Sequence, residues 1–211
     1  MEYKHNFFDN VLIKKHTLQI AKELIGSYLI VESPEGATIG KIVETEAYLW
    51  NDKASHSFSG ETKRNSAMFK RAGTIYIYFI YGNHYCFNIV TNKEGKGEAV
   101  LIRALEPIKG TELMKMRRKV EKIGKLCSGP GNLTKAMGIN KYDNLSRINE
   151  GRISILKDRL EYAGDMGESR RVGVSKDSHK KYRFYLKDNN FVSRSVNIAK
   201  PLGFVRPKKQ A

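Results

Sequence analysis

The feature that most constrains the fold is a stretch of strand-forming residues at 74–90, which reads TIYIYFIYGNHYCFNIV. Most residues in each half are β-branched or aromatic, and the YGNH segment between the halves carries a turn signal. Alternation places Tyr76, Tyr78 and Ile80 on one face of the first strand. The pattern therefore predicts a β-hairpin with an aromatic tip and with tyrosine rings along one side of the sheet.

The tyrosines of this hairpin admit two interpretations. Four of the eleven tyrosines in the chain lie in the stretch. Buried tyrosine hydroxyls need hydrogen-bond partners, which favours a surface that is apolar on one side and wet on the other. Ordinary packing of the hairpin against a core explains the same residues, and the stretch alone does not choose between the two.

The balance of charge indicates the kind of partner. Lysine and arginine total 38 against 22 aspartate and glutamate residues, which gives a formal net charge of +16. Such an excess is more than solubility requires and favours a polyanion as the partner. A generally basic surface without such a partner is the alternative.

Several classes of protein are disfavoured by composition. The longest apolar run, 75–81, is too short to span a bilayer, and the opening residues MEYKH lack an apolar signal core. We therefore expect no membrane partner and an intracellular location, in the cytoplasm or nucleoid, or in the nucleus of a eukaryote. Cys86 and Cys127 cannot form a disulfide framework, and no spacing typical of a metal site occurs, so we expect no metal.

The remaining pattern predicts a mixture of helices and strands in one domain over 1–211. A helix is predicted at 17–25, and strands at 28–32 and 37–48 are predicted to pair across a turn. Further strands are predicted at 98–105, 151–157, 169–176, 181–187 and 191–196. A helix is predicted at 109–122, a short helix is predicted after the Gly-Pro-Gly turn at 129–131 in the stretch 126–139, and a loose basic tail is predicted at about 200–211. No repeat, low-complexity tract or linker divides the chain.

Two acids interrupt the pattern of the strand predicted at 37–48. Glu44 and Glu46 share a strand face with Ile42, where apolar side chains are expected. A carboxyl in a half-buried, aromatic setting can have a raised pKa and act as a general base. Two solvated acids at a strand end are the alternative, and the strand alone does not decide.

Two further polar residues stand in unusual settings. Arg103 lies among apolar residues of a predicted strand and needs a partner, which could be a structural ion pair, the Glu46 carboxylate or a phosphate. His56 lies in the irregular basic stretch at 49–73, and a lone histidine is more often structural than catalytic.

Taken together, seven stretches resemble one family. They are VETEAY at 43–48, residues 52–56 and 64–69, YIYFIYGNHYCFN at 76–88, LIRALEP at 101–107, LCSGPG at 126–131 and RVGV at 171–174. In register from about residue 10 to 195, they are similar to the alkyladenine (3-methyladenine) DNA glycosylases of the alkylpurine type. The resemblance implies an α+β fold, a single domain with a curved antiparallel β-sheet flanked by helices and a protruding β-hairpin.

The same resemblance implies an activity. It points to a monofunctional, monomeric enzyme of base excision repair, without metal or cofactor, that acts on double-stranded DNA containing damaged purines. The enzyme would flip the damaged base out of the duplex and hydrolyse its N-glycosidic bond. The expected base is 3-methyladenine, and hypoxanthine and ethenoadenine are further candidates. A base inside a duplex cannot be reached without such rotation.

The resemblance also carries over roles for individual residues. Glu46 would activate the water, with Glu44 as its structural neighbour, and Arg103 and the backbone carbonyl of Val172 would complete the shell of that water. The substrate-binding positions are Tyr48, His56 and Tyr78 around the base, the backbone of Ala54 and His56 at its edge, and Asn88. Tyr81 at the hairpin tip would be the wedge inserted into DNA.

Asn88 is a candidate for selectivity. The resemblance implies that its amide crowds the 2-amino group of guanine, and the alternative is that it only caps backbone groups. The chain departs from the family pattern at Trp50-Asn51, Lys70-Arg71 and Asn83, all in stretches expected to face DNA.

Two other classes of function stay open from the residues. A non-catalytic nucleic-acid-binding protein would use the same charge and tyrosines, but it leaves Glu46 and Arg103 unexplained. A metal-dependent nuclease would need a cluster of acids, and the sequence offers none beyond Glu44 and Glu46.

Overall fold

The computed structural model of the protein describes residues 15–80, 84–157 and 165–193. In these ranges the α-helices are α1 (Thr17–Glu23), α2 (Thr111–Arg118) and α3 (Pro130–Met137). The strands are β1 (Tyr28–Val31), β2 (Thr38–Tyr48), β3 (Ile75–Ile80), β4 (His84–Val90), β5 (Ala99–Lys109), β6 (Ile153–Leu156), β7 (Met166–Ser169) and β8 (Arg183–Leu186). The predicted α+β fold is confirmed.

One curled antiparallel sheet contains every described strand. Its main order is β3-β4-β5-β2-β1-β6, and β8 pairs with both β2 and β7. The long strands β2 and β5 form its centre, and their register shifts on either side of Glu44. Such irregularities bend a strand and redirect its side chains. All residues from Ile42 to Ala47 are buried, so both faces of β2 are covered at this point.

The helix α1 begins at Thr17 as predicted and ends at Glu23, two residues before the predicted end. The side chain of His16 accepts the N–H of Leu18 at the N-terminus, and Gly26 follows with φ of 86°. Its buried residues face β2, where the Thr45 hydroxyl donates to the Ala21 carbonyl at 2.8 Å. The helix therefore covers one side of the strand that carries the two acids.

The helix α3 stands against the start of β4. It begins at Pro130, and the Thr134 hydroxyl donates to the Tyr85 carbonyl at 2.9 Å. A Cβ at Gly131 would lie 2.7 Å from Cγ of His84, so only glycine permits this close approach. The first turn of α3 thereby becomes one wall of a cavity beside β4.

The strands of the predicted hairpin are confirmed. β3 and β4 pair antiparallel, from Ile75 opposite Ile89 to Ile80 opposite His84. Residues 81–83, with Tyr81 and Asn83, lie outside the described residues, so the protruding tip and its wedge stay predictions. The outer edge of β3 is covered by the loop at 144–148, where Asn144 accepts the N–H of Ile77 at 2.9 Å.

Some predicted elements are wrong in extent. The strand predicted at 169–176 ends at Ser169, because Gly173 has a φ of 77° and Arg171 turns into the core. The helix predicted at 109–122 spans only 111–118, since Gly110 and Lys119 both have left-handed backbones. Residues 191–193 form no strand.

Other predictions fall partly beyond the described ranges. Residues 194–196 of the predicted last strand and the basic tail at 200–211 lie outside the described residues. The single domain over 1–211 therefore stays a prediction. In the described part of the chain, no helix has the length and apolar character needed to cross a bilayer.

Candidate active site

A cavity of about 600 Å³ opens between the sheet, the start of α3 and the loop after β7. This volume falls in the range of small-molecule sites in proteins. Of the predicted site residues, the cavity is lined by Tyr48, Ala54, His56, Tyr78, Asn88, Arg103 and Val172. Positions that are up to 124 residues apart in sequence thus come together.

Glu46 lies directly behind this lining and is fully buried. Its Oε1 accepts the N–H of Val172 at 2.7 Å, and its Oε2 accepts the hydroxyl of Tyr48 at 2.8 Å. Nη1 of Arg103 is 3.5 Å from Oε1. Each carboxylate oxygen has a second lone pair, so the group can still accept a proton or another hydrogen bond.

The environment of Glu46 raises the pKa of its carboxyl. Burial is the main cause, and it outweighs the opposing effects of Arg103, the Val172 N–H and the Tyr48 hydroxyl. A carboxylate with a raised pKa takes up a proton more readily, which is what a general base requires. The alternative of two solvated acids at a strand end is wrong.

Glu44 is equally buried, but its surroundings act in the other direction. Its Oε1 accepts Nε of Arg103 at 3.0 Å and Nε of Arg183 at 2.6 Å, while Ser193 donates both its N–H and its hydroxyl. Burial raises the pKa of Glu44, yet the two guanidinium groups and Ser193 together lower it below its usual value. Glu44 is therefore ionised more readily than an ordinary glutamate, and it holds Arg103.

Arg103 contacts both acids at once. Nε is bound to Glu44, and Nη1 approaches Glu46 from the same side chain. Of the partners expected from the sequence, the structural ion pair and the Glu46 carboxylate both occur, and Arg103 also lines the cavity. The arginine thus fixes the spacing between the two carboxylates.

Val172 contacts Glu46 directly, which the sequence does not predict. The contact is its N–H, which donates to the carboxylate. A role for its carbonyl oxygen in holding a water stays a prediction.

An aromatic wall closes one side of the cavity. The His56 and Tyr78 rings meet edge to face at 4.6 Å, and the Tyr76 and Tyr78 rings are 5.5 Å apart. The Tyr76 hydroxyl lies 3.0 Å from Nδ1 of His56. Burial and the nearby Arg64 lower the pKa of His56, so its ring is neutral near neutral pH. A neutral ring does not repel a cationic ligand.

The backbone near His56 offers groups for the edge of a ligand. The N–H of Ala54 is bound to Asp52 at 3.1 Å, and the His56 carbonyl accepts from Asn65 at 2.7 Å. Among the described residues, the Ala54 carbonyl and the His56 N–H have no hydrogen-bond partner. One acceptor and one donor therefore stay free on this loop.

Asn88 is expected either to cap backbone groups or to lie beside the base, and its position is compatible with both. Its side-chain amide is buried and donates to the carbonyls of Tyr76 and Cys86 at 3.1 and 3.3 Å. It also lines the cavity, so it caps backbone groups and contacts the space at the same time. A role in rejecting guanine stays a prediction.

Sequence reasoning missed several residues that organise the site. Arg183 and Ser193 hold Glu44, and a buried pair of Asp52 and Arg171 lies beside Tyr48. Asp52 and Arg171 lie within stretches that carry the resemblance, whereas Ser193 has no local signal. Among the described residues, no group of three or more His, Cys, Asp or Glu is placed to hold a metal.

Comparisons with known proteins show the family of this chain. The family model for methylpurine-DNA glycosylase (MPG) matches residues 11–190. A relative from Francisella tularensis subsp. tularensis (strain FSC 198) is 49% identical over 189 residues, covering 87% of this chain and 96% of the relative. A relative from Carboxydothermus hydrogenoformans is 44% identical over 181 residues, covering 85% of this chain and 95% of the relative. Both are provisionally named 3-methyladenine DNA glycosylase.

The fold, the cavity and these matches together define the class of protein, which is a DNA glycosylase of base excision repair. The family model covers most of the chain and the relatives match over nearly their whole length. This chain belongs to the methylpurine-DNA glycosylase family, and DNA is its substrate.

Proposed function

We propose that the protein is a monofunctional glycosylase that takes alkylated purines, above all 3-methyladenine, out of duplex DNA and hydrolyses the N-glycosidic bond with a water activated by Glu46. The observation that carries this proposal is the buried Glu46, with its raised pKa, directly behind a cavity walled by tyrosine and histidine. The names of the relatives support 3-methyladenine as the substrate.

The chemical step is a substitution at C1′ of the deoxyribose. The water oxygen forms a bond to C1′, the C1′–N bond breaks, and its electron pair leaves with the purine. Glu46 takes the proton of the water, and Arg103 stabilises the ionised carboxylate before the step. The products are the free base and an abasic site in an intact strand, without a lysine Schiff base.

The purine reaches the cavity by rotating out of the duplex. Extrusion costs about a few kcal/mol of lost stacking, which an aromatic wedge at Tyr81 would partly offset. In the cavity, the rings of Tyr48 and Tyr78 would enclose the base. A cationic purine such as 3-methyladenine gains cation–π attraction there, and the neutral His56 does not oppose it.

The net charge supports duplex DNA as the partner. A formal charge of +16 favours the phosphate backbone irrespective of sequence. We further propose that the protein acts as a monomer inside the cell, where genomic DNA lies, and that hypoxanthine and ethenoadenine are further candidate substrates.

One assay tests the proposal against its rivals. The protein is incubated in EDTA with a duplex that contains one alkylated purine, and free base and strand breaks are both measured. We expect release of the base with an intact strand. Binding without release would indicate a non-catalytic nucleic-acid-binding protein, and strand cleavage that EDTA abolishes would indicate a metal-dependent nuclease.

A further inference from the structure

Arg171 and Asp52 form a buried ion pair beside the site that the chemistry of base excision does not by itself require. Both side chains have no exposed surface. Nη2 of Arg171 donates to Oδ1 of Asp52 at 2.9 Å, and Nη1 donates to Oδ2. Nη1 also donates to the Ala47 carbonyl at 3.0 Å. This fork fixes the guanidinium in both position and plane.

The same guanidinium lies over two aromatic rings. Its central carbon lies 4.6 Å from the centre of the Tyr48 ring and 5.4 Å from that of Tyr182. Such stacking is specific to the planar arginine side chain. Its Nε is buried and has no hydrogen-bond partner among the described residues. Because one donor of Arg171 is left unsatisfied, hydrogen bonding alone does not account for the position of this side chain.

Both hydrogen bonds to Glu46 depend on groups that Arg171 holds. The N–H that binds Oε1 belongs to Val172, the next residue in the chain. The hydroxyl that binds Oε2 belongs to Tyr48, whose ring stacks on the guanidinium. The carbonyl that Nη1 binds belongs to Ala47, between Glu46 and Tyr48. Each group that contacts the Glu46 carboxylate, apart from Arg103 on β5, therefore either contacts Arg171 or is next to it in the chain.

Asp52 extends this arrangement to a second loop that lines the cavity. Its Oδ1 accepts the N–H of Ala54, on the loop that carries His56 into the cavity. The pair therefore connects the loop that brings Ala54 and His56 into the cavity lining with the loop that contacts Glu46. A shift of either loop would alter the distance between the two.

We propose that Arg171 and Asp52 are a positioning pair, which keeps the Val172 N–H and the Tyr48 hydroxyl on the carboxylate of Glu46. The inference rests on the proposed role of Glu46 as the base. The alternative is an ion pair that stabilises the fold and leaves the orientation of Glu46 unaffected.

The two interpretations differ in their effect on the titration of Glu46. The charged and titratable groups around it are Glu44 and Tyr48 on β2, Arg103 on β5, Cys86 on β4, Arg183 opposite it on β8, and Arg171 itself. Of the groups that hold its pKa down, the Val172 N–H and the Tyr48 hydroxyl depend on the pair. If these two groups no longer pointed at the carboxylate, the pKa of Glu46 would rise further. The protein would then lose activity at a higher pH when the solution is made more acidic.

The test is the pH profile of single-turnover base excision in Arg171→Lys, which keeps the positive charge but loses the fork and the stacking. On the acidic side of the profile, the acid limb, the rate falls as Glu46 is protonated. We expect the pH of half-maximal rate on this limb to rise by about one unit or more. We also expect the rate at neutral pH to fall by about 10- to 100-fold, because small displacements near a reacting group have effects of this size. The dissociation constant for lesion-containing duplex should change by less than about threefold, since the pair lies beneath the surface.

Arg152→Lys is the matched control. Arg152 forms a similar fork on Asp143, with distances of 2.7 and 2.6 Å, and lies outside the cavity lining. It should lower stability without moving the acid limb. An unmoved limb in a folded Arg171→Lys protein, or an equal movement in Arg152→Lys, would overturn the inference.

Milder variants keep the test available if Arg171→Lys does not fold. Asp52→Asn weakens the fork, and Tyr182→Leu removes one stacking ring, and both should move the acid limb in the same direction. The double variant of Asp52→Asn with Tyr182→Leu should shift it by less than the sum of the single shifts, because both act on one side chain. An unmoved limb in both single variants would contradict the inference. Full activity in Glu46→Gln would instead contradict the proposed function, so the two failures are distinguishable.

Discussion

Glu44 and Glu46 are two residues apart on β2 and equally buried, yet their surroundings shift the pKa values of their carboxyls in opposite directions. One arginine joins them, with Nε of Arg103 at 3.0 Å from Glu44 and Nη1 at 3.5 Å from Glu46. Two neighbouring acids with separated pKa values are a common basis for distinct chemical roles. Here Glu44 anchors Arg103, and Glu46 is the candidate base.

The first prediction concerns the anchor. Replacing Glu44 by Gln leaves Arg103 and Arg183 without their shared anion, and breaking a buried pair in this way costs about 3–5 kcal/mol. Urea unfolding should show a loss of that order, with base excision less affected than in Glu46→Gln. Glu35→Gln is the control, because Glu35 pairs with Arg117 at the surface and should leave stability near that of the wild type. Unchanged stability in Glu44→Gln would contradict the role of Glu44 as an anchor.

The second prediction concerns the effect of pH on stability. The folded-state pKa of Glu46 is raised, so the ionised form is penalised by folding, and its effect on stability is unfavourable above that pKa. Glu46→Gln removes this penalty, so the melting temperature of the variant relative to the wild type should rise from acidic to alkaline pH. As the pH falls through the folded-state pKa, the wild type takes up the proton and this relative gain should be lost. A difference in melting temperature that does not change with pH would argue against a raised pKa.

The sequence predicts the parts of this site that depend on local pattern. Alternation correctly places Tyr76, Tyr78 and Ile80 on one face, and all three line the cavity. It cannot separate the roles of Glu44 and Glu46, because their partners are distant in sequence. Arg183 lies 139 residues from Glu44, and Val172 lies 126 residues from Glu46.

The strand predicted at 169–176 shows a second limit of local pattern. Its alternating apolar and polar residues are typical of a strand, but the backbone turns at Gly173. Arg171 is buried there by Asp52 and two aromatic rings, which come from other parts of the chain. Long-range ion pairing thus overrides the β-propensity of this stretch.

The third prediction concerns two lysines at the mouth of the cavity. Lys53 and Lys176 line it and are exposed, and among the described residues neither has an ion-pair partner. If both contact phosphates, binding to undamaged duplex should weaken steeply with salt, and the double change to Ala should reduce the log–log slope by about 2. Lys187→Ala is the control, since Lys187 pairs with Asp165 away from the cavity. A slope that stays the same in the double variant would exclude these contacts.

The fourth prediction concerns selectivity at Asn88. The two hydrogen bonds of its amide to backbone carbonyls fix the side chain beside the cavity. Asn88→Ala enlarges that space, so release of guanine relative to alkyladenine should rise by about tenfold or more on matched duplexes. An unchanged ratio in a stably folded variant would mean that Asn88 only caps the strand.

The most direct test of the account is single-turnover excision of an alkylated purine by Glu46→Gln. The amide keeps the shape of the carboxyl but cannot take a proton from water, so excision should fall by a factor on the order of hundreds or more. Binding to the lesion-containing duplex should stay within about threefold of the wild type. Excision within about tenfold of the wild-type rate, by a folded Glu46→Gln protein that still binds the lesion, would contradict the assignment of Glu46 as the base.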